Sequence, residues 1–277
     1  MSLTRPLTGP VTRPLTRAIT AAGSGGGGSD PLLVAALATS PAWLYDHKDA
    51  ASFFSDFAMT TQATVGGTVA AILDKSTNAR HRRQADATKR PILRQAGSLY
   101  YVEYDGVDDW LATAVVDWSA GDAFTSCHGA RKLTDAGSST IFGLGDVDTG
   151  NGSLGVRFPH GAAPVAAVFS RGTSSRFVIY NNAAVAAPVT CVLTSLSDIS
   201  VPVVTLRVNA VQVGTSAVSQ GTGNFGVYAV KFGANGALST SLFSGFDYGG
   251  LGVTRQLSGA ELTAVEAFVA DRTGIVL

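Results

Sequence analysis

Ten short runs rich in β-branched and aromatic residues follow one another between residues 98 and 250, each closed by Gly, Asn, Asp or Ser, with no helical periodicity between them. They are SLYYVEYDG (98–106), WLATAVVDW (110–118), AFTSCHGARKL (123–133), STIFGLG (139–145), GSLGVRF (152–158), SRFVIYN (175–181), PVTCVLT (188–194), PVVTLRVNAVQV (202–213), FGVYAVKFG (225–233) and SLFSGFDYGG (241–250). A strand buries one face in two, and strands without intervening helices can bury that face only against another sheet. The pattern therefore predicts an all-β protein, an antiparallel jelly-roll sandwich. Asn209-Ala210 separates two alternating runs and predicts a tight hairpin of firm register.

The C-terminus departs from this pattern. Ser258 and Glu261 have the spacing of a capping box, Leu257 and Leu262 that of a hydrophobic staple, and Leu262, Val265, Phe268 and Val269 form one apolar stripe. Gly274 closes the helix, which is expected to pack on an outer edge or face of the sandwich. A short helix is also expected from Asp30, with Pro31 in its first turn and Pro41 as its stop.

Ahead of this lies an arm of a different kind. The octad TRPLTGPV (4–11) is followed directly by TRPLTRAI (12–19), and Pro6, Pro10 and Pro14 recur at the same period as Leu7, Val11, Leu15 and Ile19. Proline at every fourth residue excludes a continuous helix, so residues 1–22 read as an extended strap and 23–29 as a Gly/Ser linker. We expect the strap to anchor the sandwich of residues 30–277 to a larger assembly. Arg5, Arg13 and Arg17 would supply charge, and Leu7, Val11, Leu15 and Ile19 would fill pockets.

Composition narrows the function. Hydrophobic residues make up 45% and charged residues 14%, with 20 basic and 20 acidic side chains. That balance argues against a nucleic-acid binder, which needs a basic face. Arg80, His81, Arg82 and Arg83 form the one basic run and read as a solvated loop. No apolar stretch reaches the ~20 residues of a membrane span, and no signal sequence follows Met1, so membrane insertion and export by that route are not expected. Cys127 and Cys191 lack metal-ligand spacing and are expected as buried thiols, a single disulfide being the alternative.

Asp105, Asp108 and Asp109 in DGVDDW form an oxygen-rich turn that could hold calcium, and Asp146, Asp148 and Asn151 in GDVDTGNG form a second. Aspartates beside glycine also serve a turn by bonding its own backbone, which is the expected reading of both. No cofactor is expected. Glu103 and Asp105 alternate along one run, but no second acidic run faces them as glycoside hydrolysis requires. His47, His81, His128 and His160 sit beside no nucleophile elbow, so an enzyme is not expected. Trp43, Tyr45, Trp110, Trp118, Tyr180, Tyr228 and Tyr248 could offer stacking faces to a sugar, although burial is the default in strands.

Several ordered stretches resemble a group of tailed-bacteriophage virion proteins built on a laminin-G/concanavalin A-like sandwich. They are residues 43–93 (WLYDHKDAASFF through KRPIL), LYYVEYDGVDDWL (99–111), WSAGDAFTSCHGARKLTDAGSSTIFGLG (118–145), SQGTGNFGVYAVKFG (219–233) and SGAELTAVEAFVADRTGIVL (258–277), together with the TRPLTRAIT arm. After DKS this chain carries additional arginines, which suggests a local partner for that loop. The resemblance implies a concanavalin A-like fold and a multi-copy, non-enzymatic structural or decoration protein of a virion assembled in the host cytoplasm. Other virion proteins would be its partners through the arm. The alternative is an adhesin that binds a host-surface glycan.

Overall fold

The computed structural model of the chain describes residues 42–236 and 240–277. The anchoring residues Arg5, Leu7, Val11, Arg13, Leu15, Arg17 and Ile19, the linker and the helix expected after Asp30 lie outside the described residues.

The early strands are β1 (Ala42–Asp46), β2 (Phe53–Phe54), β3 (Ala71–Ile72), β4 (Arg82–Arg83), β5 (Ile92–Ala96), β6 (Leu99–Asp105), β7 (Leu111–Ala112) and β8 (Val116–Asp117). The middle of the chain forms β9 (Ala123–Lys132), β10 (Thr140–Leu144), β11 (Ser153–Arg157), β12 (Val165–Arg171) and β13 (Ser175–Asn181). Then follow β14 (Val189–Asp198), β15 (Val203–Val208), β16 (Val211–Ser216), β17 (Val227–Tyr228), β18 (Val230–Phe232), β19 (Ser244–Val253) and the helix α1 (Gly259–Thr273).

These strands make an antiparallel β-sandwich. One sheet runs β16-β15-β14-β9-β19-β6-β5, with β1 also paired to β19, and the other runs β13-β12-β11-β10-β18-β7-β4-β3-β2. Their inner faces meet in one core that includes Trp43, Tyr45, Phe53, Val102, Tyr104, Trp118, Phe124, Phe142, Val168, Leu193, Leu206 and Phe232. The alternation is visible along β9, where Phe124 and Ala130 enter this core and Cys127 faces the other way. Cys127 and Cys191 are both free, buried thiols.

The helix α1 has the expected capping box, and Gly274 closes it in the left-handed region at φ 73°. Leu262, Val265 and Val269 pack with Leu44, Cys127, Val192, Leu251 and Val253 on the outer face of the first sheet. A Cβ at Gly129 would lie 2.4 Å from Thr273 Cγ2, so this small position lets the helix approach the strand.

Three segments differ from the sequence reading. WLATAVVDW breaks into the two-residue strands β7 and β8, which join different sheets, because Thr113 leaves the pattern to exchange hydrogen bonds with Val230. β12 lies outside the ten strand-like runs: its alanines Ala166 and Ala167 have weak strand propensity, yet both are wholly buried. β14 continues through Ser195 and Ser197, which face inward and bond to other buried polar groups: Ser126 Oγ lies 2.7 Å from Ser195 Oγ, and Ser197 contacts Ser170 and Gln220.

The basic run is a correction. Arg82 is wholly buried and pairs with Asp247, Arg80 lies over the Trp118 ring, and Arg83 lies over Phe57. The arginines after DKS therefore have partners within the chain, and the segment is not a solvated loop.

Candidate ligand-binding groove at the Tyr228 end of the sandwich

The second sheet ends in two loops that close on each other. Gly145 and Asp146 leave β10, and Asp146 organises the turn by accepting from Asp148 N at 3.0 Å and Thr149 Oγ1 at 2.7 Å. Asn235, buried in the loop after β18, joins the two. Its Nδ2 donates to Asp146 Oδ1 and Asp148 Oδ2, each at 3.1 Å, and its Oδ1 accepts from Val147 N and Gly236 N. Arg157 Nη2 donates to the same Asp148 oxygen, Oδ2, at 2.6 Å. Asp146 and Asp148 are thus engaged in fastening the loops together. Burial tends to raise the Asp146 pKa, but the bonds from Thr149, Asp148 N and Asn235 outweigh it and hold the carboxyl below its ordinary range.

Tyr228 stands beside this junction. A Cβ at Gly145 or Gly226 would come within 2.8 or 2.3 Å of its ring, so both glycines are small because the ring occupies the space. Its hydroxyl donates to Asn151 O at 2.7 Å, and Trp118 Nε1 donates to its carbonyl at 3.1 Å. The ring therefore has a fixed orientation. Lys231 Nζ donates to the Gly236 carbonyl, and burial lowers the lysine pKa.

Between these groups lies an open groove of about 430 Å³, within the range that accommodates small ligands. Tyr228, Asp146 and Lys231 give it one aromatic ring, one carboxylate and one ammonium group, and Val115, Val227 and Ala229 also line it. Asp146 and Tyr228 come from separate expectations in the sequence, one as a turn aspartate and one as a stacking residue. Lys231 carried no sequence signal, because its place in the groove depends on a loop 85 positions distant in sequence, at Asp146. The groove offers donors, acceptors and an aromatic ring, a set that suits binding.

The other expected residues separate. Trp43, Tyr45 and Trp118 are buried in the core, and Tyr248 is buried on the far face of the first sheet. Trp110 and Tyr180 are half-buried and do not line this groove. Asp105, Asp108 and Asp109 do come together, each offering an oxygen within 4.8 Å of the others, and could hold a cation. Asp105 Oδ1 accepts from Val107 N at 2.7 Å and Asp108 N at 3.3 Å, while Asp109 Oδ2 accepts from Asp105 N at 3.1 Å, as in a self-bonded turn. Burial, and then the Asp105 charge, push Asp109 up to about 6. Glu103 is tied to Arg94 at 2.5 Å.

No family model matches the chain, and no curated protein does. Among solved structures, the botulinum neurotoxin type G receptor-binding domain matches with a TM-score of 0.52 at 10% identity, over 72% of this chain and 48% of that one. The binding domain of Paraclostridial mosquitocidal protein 1 matches with a TM-score of 0.53 at 11% identity, over 71% and 49%. The CBM40 domain of the Ruminococcus gnavus IT-sialidase, bound to alpha2,3 sialyllactose, gives a TM-score of 0.45 at 16% identity, over 60% and 95%. The match spans about half the length of the first two domains. The first two likenesses bear on the fold alone: the chain is a β-sandwich.

Proposed function

We propose that this protein is a recognition module that binds a glycan in the groove at Tyr228 without catalysing a reaction on it. The observation that carries the reading is the rigid Tyr228 ring beside Asp146 and Lys231. A pyranose presents C–H groups to a ring and hydroxyls to charged partners, and this groove supplies both. Among the described residues Asp146 is the one carboxylate lining the groove, whereas glycoside hydrolysis uses a pair. The shared fold with receptor-binding domains agrees with the reading.

A glycan array probed with the full chain and with Tyr228→Ala tests it. A set of glycans bound by the wild type and lost in a folded Tyr228→Ala variant is expected, and binding unchanged by that substitution would refute the groove. An open site of this kind gives weak binding per copy, so display in many copies would add ~10²–10⁴ in avidity. The resemblance to tailed-phage virion proteins supports display on such a particle through the N-terminal arm, with decoration as the companion role. Deleting residues 1–22 should abolish incorporation into the particle while leaving the sandwich folded.

A further inference from the structure

The outer face of the first sheet is only partly covered by α1. Beside the helix, two cross-strand rows remain: Glu103 on β6 faces Phe246 on β19, which faces Arg131 on β9, which faces Thr190 on β14. In the adjacent row Tyr101 lies against both Phe246 and Tyr248, with ring centroids 4.6 and 5.3 Å apart and interplanar angles of 32° and 44°. The half-buried Tyr101 and Phe246 thus form a tilted aromatic platform carried on strands rather than loops, with the buried Tyr248 packed against Tyr101.

The charges on this platform do not balance. Glu103 is neutralised by Arg94, but among the described residues Arg131 forms no ion pair, and its buried Nε has no hydrogen-bond partner there. Its guanidinium sits 5.9 Å from the Phe246 centroid. The planar fork of an arginine that lacks an acidic partner can hold a carboxylate with two parallel bonds from its terminal nitrogens. Aromatic faces beside it suit the apolar face of a sugar ring. We propose that this platform is a second binding surface, distinct from the Tyr228 groove, for a sugar that bears a carboxylate. The ring lies on Tyr101 and Phe246 and the carboxylate on Arg131.

Calorimetric titration of the full chain with glucuronic acid and with N-acetylneuraminic acid, each compared with its methyl ester, provides the test. At least one acid should bind at least tenfold more tightly than its ester. That preference should be lost in Arg131→Gln, partly kept in Arg131→Lys, and unaffected by Tyr228→Ala. Melting curves of each variant verify folding. Equal binding of acid and ester, no binding of either acid, loss in Tyr228→Ala with retention in Arg131→Gln, or preferential capture of a hexaglutamate peptide would each overturn the proposal. Because the groove is probed by Tyr228 and the platform by Arg131, failure of one reading leaves the other distinguishable.

Discussion

Arg82 occupies the centre of the sandwich, a position sequence logic reserves for apolar side chains. Its guanidinium lies 3.8 Å from the Tyr45 ring centroid and 3.5 Å from that of Phe232, and it pairs with the buried Asp247. His47 donates from Nδ1 to the Asp247 carbonyl at 3.0 Å, and His128 stacks on Phe142 at 5.0 Å. Burial, aided by the Arg82 charge, lowers His47 to about 4 and His128 to about 3, even though Asp247 pulls both the other way. The unfolded chain takes up these protons near pH 6.5, so below that value it holds more protons than the folded protein. Stability should therefore fall as pH drops from 6.5 toward 4, by up to about 1.4 kcal/mol per pH unit for each histidine. Thermal melts at pH 7 and pH 5 measure this: the wild type should lose stability, and His47→Gln together with His128→Gln should flatten the dependence. A melting temperature constant over that interval would show that the histidines are not held neutral. Asp109 has the opposite sign. Its carboxyl is raised from 3.8 to about 6, so stability falls as pH rises through that interval and the full cost remains above it; Asp109→Asn should raise the melting temperature at pH 7 and leave it nearly unchanged at pH 4. A lower melting temperature at pH 7 would show that the charge itself is needed in the turn.

The elements show where local preference and tertiary demand meet. The β15–β16 hairpin turns on Asn209 at φ 49° and Ala210 at φ 63°, both in the left-handed region. Asparagine accepts that conformation, and its Oδ1 takes a hydrogen bond from Val192 N at 2.8 Å, which ties the turn to β14. Alanine gains no such compensation. Ala210→Gly should stabilise the protein by about 0.5–1 kcal/mol, measured by denaturant unfolding, since glycine relieves the positive φ in a turn of the Asn-Gly type. Loss of stability would mean that the entropy of the freer unfolded chain outweighs the relieved strain. At the helix, Ser258 and Glu261 were legible because capping depends on four consecutive residues. The helix's docking surface was not, because Gly129, Val192 and Leu251 come from three separate strands.

The molecule as a whole joins distant segments at every level. β1 pairs with β19, and β4 pairs with β7, so the first described residues contribute to both sheets. The Arg82–Asp247 pair spans 165 positions and joins the two sheets through the core. We expect residues 30–277 to melt in one cooperative step and to resist limited proteolysis as a unit. A stable, cooperatively folded fragment beginning near Tyr100 would show that the preceding segment is a separate body.

Alternation, turn residues and capping determined the all-β class, most strand positions, the hairpin and the terminal helix, because each depends on neighbours within a few residues. Turn aspartates at 105–109 and 146–148 were legible for the same reason. Tertiary structure alone decided which aromatics are available: Trp43 and Trp118 vanish into the core while Tyr228 reaches a groove. It alone decided that Arg82 is buried rather than solvated, and that Asp146, Asn235 and Lys231 meet. These outcomes depend on which strands lie side by side across long separations, and local propensity carries no information about that pairing.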